Sequence, residues 1–188
     1  IAGQSIIAAS RAAETVPEVL LPEEQYLALE LPDYEIGERM GYIAIDGIVL
    51  TQLFQADDGL STENPFVDYV EEGAAAWGGE LKPGNGIYNT MVIGGHRTAE
   101  GAPFNKLQEV KKGDELVVVF QTGDSYSATD VATLKYVTQM DAPVQITQYD
   151  VDLVTEQLET PSVRLFTCNS LDFRLIVDFE LVSVENTV

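Results

Sequence analysis

Apolar residues fall along this chain in short runs of strand length, punctuated by glycine and proline. Segments 41–45, 48–54, 89–93, 115–121, 126–137, 162–166 and 173–177 are rich in β-branched and aromatic residues, and each predicts a strand. Helical patterning is sparse. The spacing predicts a short helix near 6–13 and another over 65–77 with Asn64 as its cap, and one or two helical turns over 153–158. Gly78, Gly79, Pro83, Gly84 and Gly86 make a turn-rich approach to the strand that ends before His96. Residues 1–37 are rich in Ala and Glu and contain Pro17, Pro22 and Pro32, so beyond the first helix they read as an extended acidic connector. Many short strands with few helices predict an all-β domain, closed or nearly closed into a barrel. Strand period alone does not separate that barrel from a sandwich. There is no internal repeat and no low-complexity tract.

Composition narrows the setting. The chain has 188 residues, 45% of them apolar, enough for one sizeable core and too many for a disordered polymer. Thirty-one acidic residues against ten basic ones leave a formal charge of -21. Such a surface excludes nucleic acid as a partner, because phosphate binding requires a basic one. It fits a salty environment, where screening shortens self-repulsion, and equally the ordinary acidity of a secreted protein. No stretch reaches the roughly 18 apolar residues of a membrane span. The acidic pairs Asp57-Asp58, Glu71-Glu72 and Asp150-Asp152 could hold calcium, but such pairs are usually plain solvated surface, and no metal site is expected.

There is one cysteine and one histidine, so Cys/His chemistry can only use Cys168 and His96. Either residue alone has a bland explanation as a buried small hydrophobe or a hydrogen-bonded side chain. Each, however, follows a strand-like run, 89–93 before His96 and 162–166 before Cys168, and strand ends on a rigid sheet commonly display catalytic groups. One cysteine forbids an internal disulfide and is compatible with either redox compartment.

Three elements together resemble the sortases, cysteine transpeptidases of the prokaryotic envelope. The first is Gly95-His96-Arg97, continuing through Thr98 to Leu107 and then Lys112-Gly113-Asp114 before a Val-rich strand. The second is Leu165-Phe166-Thr167-Cys168, against a family pattern of Thr-Leu-x-Thr-Cys. The third is Arg174, which opens the final strand. The resemblance spans about 38–184, and the run after the histidine is most similar to the class E group, with Glu100 where that group tends to have an aromatic. The six-residue step from Cys168 to Arg174 is shorter than the family's, leaving little room for a loop between the last two strands.

The resemblance implies an eight-stranded barrel over 38–188, preceded by an N-terminal connector over 1–37 that can act as a lid. It implies a transpeptidase needing no cofactor, with Cys168, His96 and Arg174 as catalytic residues and Thr167 as a substrate-binding or supporting contact. The substrate would be a sorting-signal peptide of the Leu-x-x-Thr-Gly kind. The acceptor would be an amine on a cell-wall precursor or a pilin. The enzyme would face outward from the prokaryotic cell membrane as a signal-anchored ectodomain, touching the membrane only through an anchor absent from this chain.

These residue types suit that chemistry. A thiolate attacks an amide carbonyl, an imidazolium protonates the leaving amine, and a fixed cation stabilises the oxyanion. With unperturbed groups, moving the proton from thiol to imidazole costs about 2.7 kcal/mol, so roughly one per cent is ion pair. A guanidinium beside the thiol would raise that fraction. Arg97 is the rival cation, but as the neighbour of His96 it is expected to point the other way. Papain-like enzymes place the cysteine before the histidine with a nearby Trp, and L,D-transpeptidases carry Ser-His-Gly-Cys; neither pattern occurs. Zinc would need about four ligands, more than this pair offers. The alternative from another class is a non-catalytic acidic envelope module, with an idle barrel site and cations as its ligands.

Overall fold

The computed structural model of the chain describes residues 20–56, 73–76, 89–98, 102–123, 130–147, 153–154, 156–168 and 173–187. Among them are β1 (Arg39–Ile45), β2 (Val49–Gln55), β3 (Ala74–Ala76), β4 (Thr90–Gly95), β5 (Glu115–Gln121), β6 (Val131–Val137), β7 (Val144–Thr147), β8 (Ser162–Cys168) and β9 (Phe173–Thr187). They form one sheet in the order β6-β5-β1-β2-β3-β4-β8-β9-β7, and a further β6–β9 pairing closes it. Eight strands therefore make a closed barrel, as expected, and β7 pairs with the start of β9 on the same edge that β6 takes further along. Closure is possible because β9 is 15 residues long: its first half pairs with β8 and β7, its second with β6. Two of the pairings, β2–β3 and β4–β8, are parallel.

Period two decides which residues fill the barrel. Ile43, Leu53, Ile93, Val118, Leu134 and Phe179 are inward and fully buried. On the opposite face of β3, β4, β8 and β9 a second apolar cluster forms, including Ala75, Val92, Ile146, Val154 and Ile176. This face is covered too, which is why β4 is buried at nearly every position.

Several elements differ from the sequence expectation. Ala74–Ala76, expected as the tail of the helix over 65–77, is a strand. Alanine favours helix locally, but here its small side chain lets β3 fit, fully buried, between β2 and β4, and tertiary packing overrides propensity. The rest of that helix, the helix near 6–13, the glycine-rich approach at 78–86 and the three acidic pairs lie outside the described residues. β7 was unexpected because only Ile146 of its four residues is buried. A helix, α1 (Pro22–Leu27), stands where an extended connector was read. Pro22 starts it and Glu24 accepts the Leu21 N–H at 2.8 Å. Tyr26 and Leu29 then join the main core, and the Tyr34 hydroxyl donates to the Gln121 carbonyl. Burial pushes the phenol pKa values of Tyr26 and Tyr34 up.

Gly41 marks the tightest backbone approach in the barrel. Its φ is +154°, and a Cβ there would lie 1.8 Å from the Val119 carbonyl oxygen on β5. Gly41→Ala is expected to lower stability by about 3 kcal/mol, the sum of backbone strain and forced separation of β1 from β5. Urea unfolding checks it; an unchanged midpoint would mean that β5 can move aside.

Candidate active site

The strand register brings the predicted residues together. Gly95 on β4 is the partner of Thr167 on β8, and Thr167 is the partner of Leu175 on β9. One step further, Cys168 is the direct partner of Arg174. His96 follows Gly95 immediately, so the chain leaves β4 at His96 next to the level at which Cys168 and Arg174 are partners, and the three positions form a row. With strands about 4.8 Å apart, the row spans about 10 Å.

Alternation assigns the row to a face. Val92 and Gly94 precede His96 on β4, and Arg164 and Phe166 precede Cys168 on β8, at two-residue intervals; Ile176 and Asp178 likewise follow Arg174 on β9. Val92, Phe166 and Ile176 belong to the outer apolar cluster. The row of positions therefore adjoins the outer apolar cluster, at the margin of the barrel.

His96 is half-buried, and its carbonyl accepts the Phe104 N–H at 2.9 Å. Phe104 is fully buried beneath Gly95, where a Cβ would come within 2.8 Å of the ring. The glycine thus lets the loop after β4 close down on the barrel and hold the backbone at His96. Arg174 is half-buried and donates from Nη1 to the Phe173 carbonyl at 3.1 Å. Arg97 turns towards the loop, its Nε donating to Gln108 Oε1 at 3.1 Å. Thr167 is almost fully buried, and its hydroxyl donates to the Gly95 carbonyl at 2.7 Å. That bond ties β8 to β4 directly behind His96 and Cys168, a supporting contact between strands.

Arg164 was not singled out from the sequence. It is 2% exposed and sits opposite Asp178. Its Nε and Nη2 donate to the two Asp178 carboxylate oxygens at 2.6 and 2.8 Å, a forked pair. Nη1 turns to the segment before β8, donating to the carbonyls of Leu153, Val154 and Glu156. The hydrogen bond to Asp178 raises the guanidinium pKa further, against the opposing effect of burial. The available signal was that Arg164 stands where the Thr-Leu-x-Thr-Cys pattern begins with Thr.

Over residues 43–182 the sequence matches the family model described as Sortase domain. No curated protein matches the chain. Solved structures of similar fold include sortase E from Streptomyces avermitilis, at 20% identity and a TM-score of 0.60 over 81% of this chain and 93% of that one. Sortase C-3 from Streptococcus pneumoniae is similar at 22% identity and a TM-score of 0.62, over 87% and 80% of the two chains. Sortase A from Listeria monocytogenes is similar at 19% identity and a TM-score of 0.58, over 80% and 91%.

Proposed function

The chain belongs to the sortase family of cysteine transpeptidases, and on that premise we propose that Cys168, His96 and Arg174 cleave a sorting signal and transfer it to an amine. The single observation that carries this assignment is the row in which Gly95, Thr167 and Leu175 are register partners and the three residues lie one step beyond them.

The reaction starts from the form in which the Cys168 proton resides on His96. The thiolate attacks the carbonyl carbon of the Thr in a Leu-x-x-Thr-Gly peptide, and the carbonyl electrons move onto oxygen. Arg174, partner of Cys168 across the ladder, offers its guanidinium fork to that oxyanion. The intermediate collapses, the Thr–Gly C–N bond breaks, and His96 delivers its proton to the departing glycine amine. A thioacyl enzyme remains. An incoming amine attacks it, His96 takes the amine's proton, and the thiolate leaves as the new amide forms. Thr167 supports the row from behind through the Gly95 carbonyl.

In this reading 38–188 is the catalytic barrel, with residues 20–37 packed on it, acting at the outer face of the prokaryotic cell membrane on secreted proteins. Acceptors are an amine of a cell-wall precursor or a pilin lysine. No helix among the described residues is long and apolar enough to cross a membrane.

A library of Leu-x-x-Thr-Gly-type peptides, incubated with the protein and followed by mass, tests the proposal. The expected result is cleavage between Thr and Gly, a thioacyl adduct mapped to Cys168, and a transpeptidation product when an amine is added. A folded protein that cleaves no member and forms no adduct would favour the idle acidic module.

A further inference from the structure

We propose that Arg164 is a positioning residue for substrate recognition: through its fork to Asp178 and its bonds to the Leu153, Val154 and Glu156 carbonyls, it holds a wall beside the catalytic row. The proposal rests on the transpeptidase reading, because the wall matters only if a peptide lies along that row.

The geometry comes from the ladder. Arg164 is four residues before Cys168 on β8, a distance of about 13 Å along the strand. Phe166 and Ile176 are partners lying between the two levels, with Val92 nearby on β4. A peptide whose carbonyl sits at Cys168 must lay its flanking residues along the outer face. On the side running towards Phe166 and Ile176 it meets Leu153 and Val154, which pack on the same apolar cluster.

That packing needs help. Leu153 and Val154 are helical, as the sequence predicts, and 156–158 are not; the last carbonyls of a helical turn have no partner within it, and a buried carbonyl must be satisfied. Arg164 meets the need from below with a single planar group whose donors diverge, one edge taken by Asp178 and Nη1 directed at the segment. A second set of bonds pins residues 157–159. The Gln157 amide bonds both the Thr90 N–H and its carbonyl, the Leu158 N–H donates to Thr90 Oγ1 at 2.8 Å, and Asn89 Nδ2 donates to the Glu159 carbonyl. The segment is thus anchored to β4 and β8, the two strands that carry His96 and Cys168. A lysine could keep the charge opposite Asp178 but could not serve the carboxylate and the carbonyls together.

Two variants test the role: Arg164→Lys, and the double variant Arg164→Met with Asp178→Leu, which removes both charges so that neither is left buried alone. Three readouts are taken on each: kcat and KM for a cleaved peptide, the iodoacetamide rate of Cys168, and amide exchange over the peptide from Leu153 to Glu159. The expected result for both variants is a KM raised about 10-fold or more with kcat within about threefold, an unchanged alkylation rate, and faster exchange. Unchanged KM with normal folding overturns the proposal. So does a fall in kcat and alkylation rate together, which would mean that Arg164 acts on the row itself. If the parent protein cleaves no peptide, the transpeptidase reading fails and the recognition role with it, while exchange still reports whether Arg164 holds the segment.

Discussion

Cys168→Ala is expected to abolish thioacyl-enzyme formation and to lower turnover at least about 10⁴-fold, since no other thiol exists to take over the attack. His96→Ala is expected to cost about 10²- to 10⁴-fold, the range for loss of a general acid and base. Non-additivity is the sharper signature. If the two act as one unit, the double variant should be no worse than Cys168→Ala alone. Both proteins should fold, because two bonds that build this corner of the barrel are made by other groups. The His96 carbonyl accepts from Phe104 whatever its side chain, and the Thr167 hydroxyl reaches the Gly95 carbonyl independently of Cys168. Single-turnover mass spectrometry with a short peptide, together with a melting curve for each variant, makes the comparison. Substantial cleavage by Cys168→Ala would sink the assignment of the nucleophile.

Replacing Arg174 by Lys is expected to lower kcat/KM about 10²-fold, although the charge is kept. The guanidinium offers a planar fork of donors to a developing oxyanion, and removing one such donor typically costs 10²- to 10³-fold. Arg174 is the register partner of Cys168, so a point charge on a flexible tether would lose the alignment that the ladder supplies. Arg97→Lys should change kcat/KM by less than about threefold, because Arg97 engages Gln108 on the loop. Both rate constants should be measured with the same peptide at saturating and limiting concentration. The opposite ranking would transfer the oxyanion role to Arg97.

Part of the fold was legible in the chain because strand period is a local property. The runs later seen as β1, β2, β4, β5, β6 and β8 alternate or cluster apolar residues within their own sequence. β7 escaped because a four-residue strand that buries one side chain has no pattern to show. β9 was read only to Val177, since Asp178 and Glu180 interrupt its apolar run. Asp178 is there to receive Arg164, and the strand continues through it because the neighbouring strands supply its hydrogen bonds. Ala74–Ala76 was misread for the complementary reason, as a run of good helix formers whose burial between two strands no local rule reveals.

By itself, the sequence determined the inventory of chemistry. It holds one thiol, one imidazole and an arginine six residues past the thiol, each beside a strand-like run and in an order resembling the sortases. The types of residue and their chain order are local facts, and they limited the reaction before any contact was known. Tertiary structure alone decided which strands distant in the chain are neighbours. The parallel β4–β8 pairing joins positions more than seventy residues apart, and without it Gly95 and Thr167, the residues before His96 and Cys168, would not be partners. Period two tells which face a residue takes but not which strand lies alongside, because hydrogen bonds between strands form equally well with any partner of suitable length. The same holds for Arg164. Its sequence neighbours give no hint of Asp178 or of the Leu153 carbonyl, and only the β8–β9 register and the packing of 153–156 on β8 brought a carboxylate and three backbone oxygens around one buried guanidinium.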